Sequence, residues 1–208
     1  MRPFTTFLLL ATCTSCTKPG VHGKQSEGRE SLTLYPAEFI ASENKYTDSK
    51  GTTVIIQNSV PKGLTYNPPG KSVQGRIFWN RVINETDRPL ELFIDFPDDL
   101  SSSRTSGDYL KIFVPPDTMT IDKESRYSYG FDVLRSKAFL DTVLLKPTTL
   151  RKAISPRGTA LFYVGVLFSG AAAVRSELVM KEQKLFYKIT GIATELDTAL
   201  IPCGHIAF

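Results

Sequence analysis

The stretch Gly75-Arg76-Ile77-Phe78-Trp79-Asn80-Arg81-Val82-Ile83-Asn84, followed by Leu90-Glu91-Leu92-Phe93-Ile94-Asp95-Phe96, decides how this chain is read. In the second segment Leu90, Leu92, Ile94 and Phe96 fall on one parity. Glu91 and Asp95 fall on the other, with Phe93 between them. Successive side chains of a strand point to opposite faces, so this alternation describes a strand with one face in a core and the other largely in water. In the first segment Ile77, Trp79 and Ile83 share a parity with Arg81 between them, and Phe78 and Val82 take the other. Asn84 to Pro89 joins the two strands as a turn, in residues that favour turn chemistry. Asn84-Glu85-Thr86 has the form of a glycosylation sequon and is read as part of that turn.

The same style continues on both sides. From Ser31 onward, short runs rich in Val, Ile, Phe and Tyr alternate with Pro, Gly, Asn and Asp clusters. That is the pattern of an all-β protein, an immunoglobulin-like or related antiparallel β-sandwich. Thr52 to Gln57, Tyr109 to Val114 and Leu150 to Ile154 read as strands. Ala160 to Phe168 is apolar enough to be central in its sheet. Ser155-Pro156-Arg157-Gly158 reads as a hairpin-like turn between the last two. Val174 to Lys181 and Lys184 to Gly191 form a hairpin about Glu182 and Gln183, and Ala199 to Phe208 supplies a closing strand bent near Pro202 and Gly204. Phe139, Leu140, Val143 and Leu144 stand at helical spacing, so Ser136 to Leu145 is expected to be one short helix that ends before Pro147, with a strand through Thr142 to Leu145 as the alternative. About eight strands and one helix result, with no internal repeat.

Composition bounds the rest. A chain of 208 residues with 41% hydrophobic and 22% charged residues suits one domain with a tail. It excludes disorder along the whole length and a polytopic membrane protein. The net charge of +4, from 25 basic and 21 acidic residues, is too small an excess to point to nucleic acid.

The amino terminus is different in kind. Arg2 precedes the apolar run Phe7-Leu8-Leu9-Leu10-Ala11, which is too short for a bilayer span of about 20 residues and matches the apolar region of an export signal. The run ends Leu10-Ala11-Thr12-Cys13-Thr14-Ser15-Cys16, which resembles the signal of bacterial lipoproteins. In that family a small residue precedes a Cys that is lipidated and becomes the new amino terminus. Thr14 and Ser15 before Cys16 suit the pattern; Cys13, rather than an aliphatic residue, stands three places before it. Cys16 is the preferred lipidation site and Cys13 the alternative. The resemblance implies residues 1–16 as signal and anchor, with acyl chains held by about 0.8 kcal/mol per buried CH₂. Thr17, in place of the Asp that retains such proteins at the inner membrane, implies an outer-membrane lipoprotein of a bacterial cell envelope. Residues 17–30, polar except for Val21, read as a flexible tether that also holds His22. Residues 31–208 are the sandwich domain.

Catalytic and metal chemistry finds little material. Cys203 and His205 stand two apart, hence on one face if the strand is regular, and such a pair can activate a thiolate. The expectation is a packed Cys and a hydrogen-bonded His, or a disulfide from Cys203 to Cys16 if cleavage falls before Cys13. Asp95, Asp98, Asp99 and Asp108 cluster about one loop without calcium-loop spacing. Gly70-Lys71-Ser72 ends like a phosphate loop, but Thr65 stands where its first Gly belongs. No catalytic, metal or cofactor residue is assigned, and no cofactor is expected. Tyr127 and Tyr129, with Phe131 and Trp79, form a candidate ligand platform; the competing reading places them in the core. Together these features imply a non-enzymatic, lipid-anchored envelope protein whose sandwich acts in binding or assembly. Its expected partners are the membrane, through the anchor, and an envelope protein or glycan. A glycan-binding module, a hydrolase using carboxylates near Asp98 and Asp99, and a subunit that donates Ala199 to Phe208 to a neighbour are the rival readings.

Overall fold

The parity along Leu90 to Phe96 holds residue by residue. Leu90, Leu92, Ile94 and Phe96 are each at most 1% exposed, while Glu91 and Asp95 face solvent. The fold is that of a computed structural model, which describes residues 39–66, 73–97, 109–115, 119–120, 148–169, 173–192 and 198–208. Its strands are β1 (Ile40–Thr47), β2 (Thr53–Ser59), β3 (Lys62–Tyr66), β4 (Val73–Asn84), β5 (Leu90–Phe96), β6 (Leu110–Phe113), β7 (Thr148–Ile154), β8 (Thr159–Ser169), β9 (Arg175–Lys181), β10 (Lys184–Thr190) and β11 (Leu200–Ala207). They form two antiparallel sheets. The first has the order β1-β2-β4-β8-β6, with β3 also paired to β4; the second has the order β7-β5-β11-β10-β9. The chain is thus an all-β antiparallel sandwich. The segment expected to be helical, Ser136 to Leu145, lies outside the described residues.

One continuous apolar cluster fills the space between the sheets. It joins Val54, Ile56, Phe78, Val82, Phe162, Val164 and Val166 of the first sheet to Leu92, Ile94, Leu178, Tyr187, Ile189 and Ile206 of the second. β8 is central, paired to β4 along Thr159–Ser169 and to β6 along Gly165–Phe168, as its apolar sequence requires. β4 is twelve residues long, which lets one strand pair β3 through Val73–Ile77 and β2 through Asn80–Asn84 on the same side.

Two of the turns join strands of different sheets, so the hairpin expected about Ser155 to Gly158 does not form. Asn84 to Pro89 and Ser155 to Gly158 each carry the chain from one sheet to the other, because β4 and β8 belong to the first sheet and β5 and β7 to the second. The two turns clasp one another. Asn84 donates from Nδ2 to the carbonyls of Arg88 (2.7 Å) and Ser155 (3.0 Å), and its Oδ1 accepts from the Thr86 N–H (2.9 Å) and hydroxyl (2.7 Å). Arg157, at φ +57°, bonds Asp87 across the gap. Asn84 has no exposed surface, so the sequon is turn chemistry.

The outer edge of β9 is capped at Leu178 by side chains. Asn58 of β2 presents its amide to Leu178 as a neighbouring strand would. Its Oδ1 accepts from the Leu178 N–H (2.8 Å) and its Nδ2 donates to the Leu178 carbonyl (3.3 Å). Asn80, directly opposite Asn58 in the ladder, donates to the same Oδ1 at 2.6 Å. Exposed strand edges invite foreign pairing; here two buried amides fill that role. On the opposite side Lys152 of β7 donates to the Leu161 carbonyl at 2.6 Å, beyond the end of the short β6. Burial lowers its pKa from the ordinary lysine value.

Candidate functional site

The two sheets differ in what lies on their outer faces. On the first sheet the odd-numbered side chains of β4, β6 and β8 build a second apolar cluster: Val73, Ile77, Trp79, Phe113, Leu161, Tyr163 and Leu167, joined by Met119. β4 and β8 are therefore buried on both faces. Trp79 is 1% exposed, and Arg81 lies beside its ring at 5.8 Å. Arg81 donates to Gln57 Oε1 at 2.8 Å, and Gln57 donates in turn to Glu43, along a row that the register aligns across β4, β2 and β1. The Trp79 ring is thus core, and it is removed from the aromatic platform proposed with Tyr127 and Tyr129. Those two tyrosines lie outside the described residues.

On the second sheet the outer face is open. Glu91, Asp95, Arg151, Ala153, Lys184 and His205 are exposed and Phe93 is half-buried. Phe93 is the centre of a small stack. The Arg151 guanidinium lies 5.0 Å from its ring centroid, and the His205 ring lies 5.2 Å away at a tilt of 46°. Around them is a shallow depression of about 330 Å³ lined by Glu91, Leu92, Phe93, Arg151, Lys152, Ala153 and His205. A guanidinium and an imidazole beside an aromatic ring can bind anionic or hydroxyl-bearing groups. A second depression, of about 400 Å³, lies where β9 begins, with Arg76 and Arg175 on its walls. The Arg76 guanidinium is already engaged there, donating to the Gly75 carbonyl at 2.8 Å and to Gln74 at 3.3 Å.

Cys203 and His205 do not share a face. In the ladder Leu185 pairs with Gly204 and Phe186 with Pro202, so Cys203 is the extra residue of a β-bulge. The bulge resets the alternation, placing Ile201, Cys203 and Ile206 inward and His205 outward. Gly204 makes this feasible, with φ +144° and a backbone so close to Phe93 that a Cβ would stand 2.0 Å from its carbonyl oxygen. Burial raises the Cys203 thiol pKa above its ordinary value, which disfavours the thiolate that a nucleophile needs. The thiolate pair considered from sequence is excluded by geometry. β11, the segment that the rival reading donates to a neighbour, lies inside the chain's own sheet between β5 and β10. Of the acidic cluster, Asp95 faces solvent beside Thr149; Asp98, Asp99 and Asp108 lie outside the described residues, as do Cys13 and Cys16.

What the sequence missed is the Arg151, Phe93 and His205 stack, assembled from β7, β5 and β11. Its signal was partial: Phe93 stood out as an apolar residue on the polar parity of its strand. No protein-family model matches this chain, and no curated protein matches it significantly, so the reading of this face rests on its own chemistry.

Proposed function

We propose that this chain is a non-enzymatic, exported envelope protein, lipid-anchored through Cys16 to the outer membrane, whose β-sandwich acts in binding or assembly through the outer face of its second sheet. The observation that carries the binding surface is the open Arg151, Phe93 and His205 stack on a sheet whose partner sheet has its outer face built over. The lipoprotein-like segment ending at Cys16 and the polar tether supply the anchor and the reach.

The anchor is tested by labelling cells with a fatty-acid probe. The native chain takes the label and fractionates with membranes, and Cys16→Ser loses both. Label retained in the variant assigns the anchor to Cys13; label in neither removes it. The face is tested with a photocrosslinking residue in place of Ala153, on β7 of the second sheet, or of Lys50, in the turn between β1 and β2 of the first; both positions are exposed. Capture of an envelope component from position 153 and not from 50 supports the reading; equal capture, or capture from 50 alone, overturns it.

A further inference from the structure

The strand register places more than the stack on this face. Arg151 of β7 stands opposite Phe93 of β5, Phe93 opposite His205 of β11, His205 opposite Lys184 of β10, and Lys184 opposite Lys181 of β9. All five side chains take the outward parity, four of them exposed and Phe93 half-buried. A single straight row, Arg-Phe-His-Lys-Lys, therefore crosses every strand of the sheet. With strands about 4.8 Å apart, its four steps span roughly 19 Å. Resting on the reading of this face as the binding surface, we infer that the row is a binding site for a linear acidic polysaccharide, a chain of sugars bearing carboxylates.

Three features select that ligand. The row holds no acidic residue, and among the described residues none of its basic side chains is taken up in an ion pair. Its charges are complementary to a polyanion laid across the strands. Phe93 stacks with Arg151, which orders a guanidinium whose fork matches a carboxylate bidentately. The flanking positions then distinguish a sugar polymer from a bare anionic surface. Glu91 and Asp95 stand two residues either side of Phe93 and point the same way. Carboxylates there oppose a continuous sheet of negative charge such as an anionic bilayer. They also accept hydrogen bonds from hydroxyl groups, which sugars carry on both edges and phospholipid headgroups mostly lack. An anion confined to the row, with hydroxyls on either side, satisfies both sets.

The test uses the purified full chain, a fluorescent oligogalacturonate, a neutral oligoglucose of equal length, and vesicles containing anionic phospholipid. Oligogalacturonate binds, more weakly as salt rises, and the neutral oligomer does not. Arg151→Gln with Lys184→Gln lowers the affinity by roughly tenfold or more, since each removes a charge-assisted contact, with an unchanged melting temperature. Lys45→Gln with Lys50→Gln, on exposed positions of the first sheet and its turn, leaves binding intact. The inference is overturned by no binding of oligogalacturonate, by equal binding of the neutral oligomer, by affinity indifferent to the row pair, or by row-dependent binding confined to anionic vesicles. The last result assigns the row to lipid headgroups. Failure here with capture from position 153 intact removes only the ligand class; failure of both removes the binding face as well.

Discussion

An arginine lies beside an aromatic ring on each outer face of this sandwich, and the two pairs live under opposite conditions. Arg81 stands 5.8 Å from the Trp79 ring, with Arg81 5% and Trp79 1% exposed. Arg151 stands 5.0 Å from the Phe93 ring, exposed over a half-buried ring. Such pairs are worth about 0.5–1 kcal/mol at exposed sites and about 2 or more when desolvated. The local chemistry is alike, so the difference comes from what covers the sheet. On the first sheet the pair is part of a second core. On the second it is a surface group whose remaining valence is free to meet a ligand.

The largest expected effect separates the two faces by stability. Trp79→Ala should cost about 3–5 kcal/mol, the range for emptying a large aromatic site in a packed core. Phe93→Ala should cost less than about 1 kcal/mol, because its ring is already in contact with water. Denaturant melts of the two variants beside the native chain measure this directly. Similar costs would mean that the second face is also structural, and the contrast would fail.

Why the strands were legible and the faces were not follows from the range of the interactions. β5 shows its core in its own alternation, and β8 shows its central place in its own apolarity. β1 does not, since Ala41-Ser42-Glu43-Asn44-Lys45 is an edge segment whose inward side chains are only half-buried. β3 was hidden behind Pro61-Lys62-Gly63, and it exists because β4 is long enough to host a second neighbour. Trp79 and Ile77 read as apolar on one parity, but no property of β4 alone says whether that parity is covered. The alternation of a regular strand puts Cys203 and His205 on one face. The bulge that separates them is defined only by pairing with Leu185 and Phe186. The cationic row is least legible, because its members lie on five strands between residues 93 and 205.

A smaller effect tests how tightly the first face is built. Phe113 lies directly over Gly165, where a Cβ would stand 2.2 Å from its ring, and Gly165 is the ladder partner of Phe113. Gly165→Ala should cost about 1–3 kcal/mol through overpacking, since the ring has to lift from the sheet. Ala153→Leu on the open face should stay within about 0.5 kcal/mol of the native chain. Thermal melts of both would sharpen the comparison. A tolerated Gly165→Ala would show that the cover over the first sheet is loose enough to give.

The smallest effect concerns the two arginines themselves. Arg81→Met keeps the apolar stem and removes the donor that Gln57 Oε1 accepts at 2.8 Å. Leaving a buried acceptor unpaired costs about 1–3 kcal/mol. Removing the buried cation also removes its desolvation penalty, which offsets part of that loss. The net expectation is a destabilisation of about 1 kcal/mol. Arg151→Met gives up only an exposed cation–π contact and should change stability by about 0.5 kcal/mol or less. Its consequence belongs to binding instead. If Arg151→Met proved as destabilising as Arg81→Met, the Phe93 stack would be a strut of the second sheet. Any loss of affinity in row variants would then have to be separated from loss of fold before it could be credited to the ligand.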